Sequence, residues 1–110
     1  MTPEQRIEQM TGRQYMAEVH RLSCLCCRIR GIDGTPAQAH HPRKFGGLRK
    51  LLDKWTIPVC EWHHTVSPDS IHNQRANVEQ NYGISEEQMA EQTRKDLIAL
   101  LRCDVRYGGA

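Results

Sequence analysis

The sequence predicts a small α+β domain that is stabilised by zinc and flanked by helices. Three observations carry this: capped helical segments towards both ends, two short strand candidates around a Gly-Gly loop, and two separate pairs of metal-type ligands. With 110 residues the chain makes one domain, 1–110. It divides into an N-terminal helical segment (1–22), a knuckle and core (23–83) and a C-terminal helix (84–110). Hydrophobic residues are 38% of the chain and Phe occurs once, so the core is thin and calls for a staple.

Each element has a local cause. "TPEQRIEQMTG" opens with Thr2 as N-cap, Pro3 at the first helical position and Gln5 completing a capping box, and is expected to close at Gly12. From Arg13 to Leu22 the apolar Tyr15, Met16, Val19 and Leu22 recur at spacings of three and four, which predicts a second helix containing His20 as an ordinary member. Ser23 to Gly34 is rich in cysteine and glycine and reads as a tight knuckle. "PAQAHH" and "KWTIPV" are strand candidates on either side of Gly46 and Gly47, able to pair as a hairpin. A short helix should follow Cys60 and end before Pro68. Ser85 and Gln88 form another capping box, opening a helix to about Arg102 with Met89, Leu97, Ile98, Leu100 and Leu101 on its apolar side. The apolar faces of the terminal helices are read as core or dimer packing, and Cys103 as a packed thiol.

Five cysteines, an odd count, occur with no basic start leading into an apolar run, so the expected compartment is a reduced cytoplasm rather than a secretory one. There Cys-x-x-Cys spacing reads as metal binding or redox chemistry ahead of a disulfide framework. No apolar run is long enough to cross a membrane. Net charge is only +2, but "HPRKFGGLRKLLDK" gathers Arg43, Lys44, Arg49, Lys50 and Lys54 against one acid, Asp53. That stretch is a candidate phosphate-binding loop for DNA, with Gly46 and Gly47 allowing close backbone approach. A solvated basic turn is the competing reading.

Cys24 and Cys27 form a Cys-x-x-Cys pair, and Cys60 with His63 a Cys-x-x-His pair. Two such pairs on distant segments are what a structural Zn2+ requires, each placing two ligand atoms on one tight turn. Cys26 could substitute within the first pair, although Cys24 with Cys27 has the favoured spacing. Adjacent histidines point in different directions, so His64 is left to face another site, with His40, His41 and His72 as its companions.

These residues resemble a family. "AHHPRKFGGLRKLLDKWTIPVCEWHH", followed by "IHN", is similar to the His-Asn-His (HNH) endonucleases, in particular a bacteriophage branch that includes recombination-enhancement nucleases. The resemblance runs from about Tyr15 to Gly83 and implies a ββα-metal core, here with a zinc knuckle, and DNA phosphodiesterase activity. It implies that His41 is the general base, that His40 and His64 ligate a catalytic divalent ion, and that His72 resembles the last histidine of the motif, with Asp69 as the alternative ligand. Asp53 matches an acid of this branch, suited to orienting His41 or to joining the metal site. Trp55 stands where the middle Asn is usual.

The chemistry asks for such residues in any case. Phosphodiester hydrolysis needs a proton acceptor near neutrality, which histidine supplies, and a cation to stabilise charge on phosphorus oxygens and the leaving group. Mg2+ is the expected ion, with Mn2+, Ni2+ and Zn2+ as alternatives. The sequence therefore reads as a metal-dependent DNA endonuclease of phage or prophage recombination, acting in the host bacterial cytoplasm, with a recombination-protein partner or a homodimer as further expectations. The rivals are a zinc-knuckle DNA-binding protein and a structural zinc adaptor, neither of which would need the second histidine group.

Overall fold

The computed structural model describes residues 1–42 and 53–103. Helix α1 spans Pro3–Gln9, and its Thr2 hydroxyl accepts from Gln5 N while the Gln5 carboxamide accepts from Thr2 N. It ends at Met10 in extended conformation, before the expected stop at Gly12. The reason is a second capping box, Thr11 with Gln14, which opens α2 (Gly12–Val19) with Gly12 as its first residue. His20 is the C-cap of α2 rather than an interior residue, and its Nδ1 lies 3.1 Å from Ala37 O.

The knuckle contains a short helix, α3 (Leu25–Ile29), with Cys24 as N-cap. Strands β1 (Gln38–His40) and β2 (Ile57–Val59) pair antiparallel as expected, with Gln38 opposite Val59, Ala39 opposite Pro58 and His40 opposite Ile57. Pro58 has no N–H to give, which is tolerated because, among the described residues, β2 pairs with β1 alone. A 3₁₀ turn, Asp53–Trp55, leads into β2, and a π-wound helix, Trp62–Val66, follows it. The residue before Pro68, Ser67, is extended, so the helix stops where proline requires. A second 3₁₀ turn, Arg75–Asn77, runs into α4 (Val78–Tyr82). Gly83 closes it with φ 83°, a left-handed cap that a Cβ would disfavour. The Ser85–Gln88 box then opens α5, Glu86–Cys103.

Two apolar clusters form the core, and α5 belongs to both. Its first half contributes Met89 and Ala90 to a cluster with Leu25, Ile57, Val59, Ile71, Val78, Tyr82 and the knuckle cysteines. Its second half sets Leu97 and Leu101 against Ile7, Tyr15 and Val19 of α1 and α2. Complete burial of a side chain such as Leu97 contributes roughly 1.5–3 kcal/mol. The expected apolar side of α5 holds, with Ile98 and Leu100 at its margin. Cys103 does not: it is exposed at the helix end rather than packed.

Candidate active site and metal centre

The two ligand pairs converge. Cys24, Cys27, Cys60 and His63 are all buried, and their ligand atoms all lie within 4.8 Å of one another. His63 Nδ1 stands 3.8, 3.4 and 3.3 Å from the sulfurs of Cys24, Cys27 and Cys60, and the Cys27 and Cys60 sulfurs are 3.8 Å apart. Metal–ligand bonds of about 2.3 Å to sulfur and 2.0 Å to nitrogen give a tetrahedron with edges of about 3.8 Å between sulfurs and 3.5 Å from sulfur to nitrogen. The donor set and its dimensions fit one zinc ion. Cys26 is buried in the same core cluster and is not one of the four converging ligands. A hydrogen bond with Cys26 is the main influence that brings the Cys24 thiol down to about 4, and the same bond, followed by burial, pushes the Cys26 thiol up. Cys27 N donates to the Cys24 sulfur at 3.4 Å.

Arg30, a residue that sequence reasoning did not single out, braces this centre from outside. It reaches His63 Nε2 at 3.4 Å, pairs with Asp69 at 2.6 Å and lies 4.8 Å over the Tyr82 ring. Ser67 also donates to Asp69, and these two contacts, Ser67 first, hold the Asp69 carboxyl below its usual range.

Beyond His63 the chain presents its next residue to a second group. His40 Nδ1 and His64 Nε2 face each other at 3.1 Å with the rings edge to face. The outer nitrogens meet oxygens: His64 Nδ1 is 3.0 Å from Gln38 Oε1, and His40 Nε2 is 3.7 Å from Glu86 Oε1. Burial, reinforced by His40 and then His72, holds His64 below the usual histidine range, so it is neutral at physiological pH. His72 is exposed, its ring centroid 6.5 Å from that of His64, at the rim of the pair.

His41, next to His40, belongs to a third group. Its Nε2 lies 2.6 Å from Asp53 Oδ1, which leaves Nδ1 as the nitrogen not taken by the carboxylate. The Asp53–Trp55 turn is gripped from both termini. Lys54 donates to the carbonyls of Ile7 and Glu8 at 3.0 and 2.9 Å, while Arg94 stacks 4.1 Å over Trp55 and donates to Lys54 O at 3.4 Å. Gly12 closes the grip, for a methyl group there would stand 2.6 Å from both Asp53 Cβ and Oδ2.

A family model described as recombination enhancement, RecA-dependent nuclease matches residues 9–84. The chain belongs to this family. It is accordingly a member of a nuclease family of recombination, and the matched span contains every cysteine and histidine of the three groups. Comparisons with curated proteins and with solved structures returned no match. Among the described residues, no helix of this recombination-enhancement nuclease family member is long and apolar enough to cross a membrane.

Most of the residues singled out in the sequence fall into these groups. The four expected zinc ligands form one cluster, His40 meets His64, and His41 meets Asp53. Asp69 instead sits with Arg30 and Ser67, and the Lys54 amine is engaged by the end of α1. Arg43, Lys44, Arg49 and Lys50 lie outside the described residues. Sequence reasoning missed Gln38, Glu86 and Gly12. Gln38 had a signal, since residues two apart on a strand share a face and His40 follows it by two. Glu86 had none, because its meeting with His40 depends on how α5 docks.

Proposed function

We propose that the protein is an HNH-type, metal-dependent DNA endonuclease that hydrolyses phosphodiester bonds in phage or prophage recombination. Membership of a recombination nuclease family supports nucleic-acid cleavage. The single observation that carries the finer reading is the division of labour between adjacent histidines: His40 pairs with His64 at 3.1 Å, while His41 pairs with a carboxylate at 2.6 Å. One pair suits a cation and the other suits a proton.

The inner nitrogens of His40 and His64 fit an ion. At a bond length of about 2.0–2.1 Å, two ligand nitrogens stand about 2.9–3.3 Å apart in octahedral or tetrahedral geometry. His72, at the rim, is the proposed third ligand. A divalent ion held there supplies Lewis-acid stabilisation of charge on the phosphate and the departing 3′ oxygen. His41 does the proton chemistry. His41 Nε2–H donates a hydrogen bond to Asp53, so Nδ1 presents a lone pair that accepts a proton from water as the water oxygen forms its bond to phosphorus and the P–O3′ bond breaks. The resulting imidazolium lies against the Asp53 carboxylate, which stabilises it. Structural zinc at Cys24, Cys27, Cys60 and His63 fixes the segment bearing His64, and the basic run with Arg43, Lys44, Arg49 and Lys50 binds DNA phosphates.

The test is cleavage of supercoiled plasmid by the zinc-loaded protein with Mg2+, Mn2+, Ni2+ or Zn2+ added. Wild type should nick or linearise the plasmid with at least one ion. His41→Ala should retain metal and DNA binding yet lose roughly a hundred-fold or more in rate, at every metal concentration. Wild-type protein inert with all four ions would overturn the endonuclease reading, and an active His41→Ala variant would overturn the role of that residue.

A further inference from the structure

The oxygens on the outer nitrogens of His40 and His64 remain unused by the proposed chemistry. We infer that Glu86 and Gln38 are positioning residues, which fix the ring tautomers of His40 and His64 so that both inner nitrogens present lone pairs to one divalent cation. The inference rests on the reading of His40 and His64 as ligands.

A neutral imidazole carries one N–H, and it settles on the nitrogen that has an acceptor. Gln38 Oε1, 3.0 Å from His64 Nδ1, accepts a hydrogen bond from an N–H at that nitrogen and leaves His64 Nε2 with its lone pair. Glu86 acts on His40 in the same sense. Its carboxylate can only accept, and it faces His40 Nε2 at 3.7 Å, within reach of charge–dipole attraction though beyond a hydrogen bond. His40 Nε2 is buried and has no hydrogen-bond partner among the described residues, so the carboxylate is the group there that would draw the N–H outward. Both inner nitrogens are then unprotonated at 3.1 Å, where two lone pairs repel unless a cation lies between them.

The two positioning residues come from different places. Gln38 shares β1 with His40, whereas Glu86 is the first residue of α5, delivered across the fold by the Ser85–Gln88 box. Glu86 also lies two residues beyond the span matched by the family model. A carboxylate at a helix start has an ordinary use as well, since it complements the helix dipole. The test must separate that use from action on His40.

The experiment is titration of zinc-loaded protein with Mn2+, reading free Mn2+ by electron paramagnetic resonance, alongside thermal denaturation. Glu86→Ala and Gln38→Leu should each weaken Mn2+ binding by roughly ten- to a hundred-fold, the cost typical of removing a partner that orients a ligand. Glu86→Gln should recover most of the loss, because its side-chain oxygen still accepts. Gln38 is exposed, so Gln38→Leu tests the idea even where Glu86→Ala fails to fold. Wild-type Mn2+ affinity in both Glu86→Ala and Gln38→Leu, with His64→Ala unable to bind, would overturn the inference and leave the ligand reading intact. Unchanged binding in His64→Ala would overturn the ligand reading, and the inference with it. If Glu86→Gln binds as weakly as Glu86→Ala and melts at the same lowered temperature, Glu86 serves only the helix and its part of the inference falls.

Discussion

At the scale of single residues, Gly12 matters for what it lacks. The first turn of α2 comes so close to Asp53 that a methyl group would have to displace the carboxylate, and with it the partner of His41. Gly12→Ala should therefore lower the cleavage rate by roughly ten- to a hundred-fold, the scale of a misplaced catalytic group. The same substitution added to Asp53→Gly should cost little more than Asp53→Gly alone, because both the Cβ and the carboxylate it would meet are already gone. A double-mutant cycle on plasmid cleavage measures this, and additive losses would show that Gly12 acts elsewhere. Tyr15 makes a second residue-scale prediction. Burial pushes its hydroxyl up to about 12, against the opposing charge of Arg94, whereas the unfolded chain ionises near 10. The unfolded state thus loses its proton first as pH rises. This contribution to stability is complete below pH 10 and declines towards pH 12, by at most about 1.4 kcal/mol per pH unit. Urea midpoints at about pH 9 and 11.5 should fall less in Tyr15→Phe than in wild type.

At the scale of elements, the metal cluster joins three of them: the start of α3, the end of β2 and the helix that carries His63 and His64. Chelation at neutral pH should release about one zinc per chain and abolish the cooperative unfolding transition, since the cysteines are themselves a large part of one core cluster. Circular dichroism with metal analysis checks this. A stable, folded, zinc-free protein would refute it. The sequence made much of this level legible, and for a physical reason: capping boxes and Cys-x-x-Cys turns are local, so Thr2, Ser85, Cys24 and Cys60 announce themselves within four residues. The misplaced end of α1 has a local cause too. Thr11 and Gln14 are a capping box as plain as the one at Thr2, and leaving it out moves the end of α1 to Gly12. The partners of His40 and Asp53 are a different matter. Glu86 is 46 residues from His40 and Gly12 is 41 from Asp53, and only tertiary docking brings them together.

At the scale of the whole molecule, charge distribution separates a nuclease from an adaptor. Net charge is only +2, so DNA affinity must come from a local concentration of cations such as the run from Arg43 to Lys50. Neutralising Arg43, Lys44, Arg49 and Lys50 together should weaken binding to all DNA sequences. It should also reduce the slope of log K against log salt by about 0.9 for each DNA phosphate that no longer meets a cation. An unchanged slope, measured by fluorescence anisotropy, would assign this run to the solvated surface. Lys54 stands apart here, because its amine already holds the end of α1. The grip on the Asp53 turn also has a bearing on truncation. Gly12, Asp53, His64 and Glu86 come from widely separated stretches of one chain, so these groups come together only after α5 has docked. On the proposed reading, a chain truncated before Ser85 lacks Glu86 and the helix that delivers it, and should fail to nick plasmid DNA that the full chain cuts.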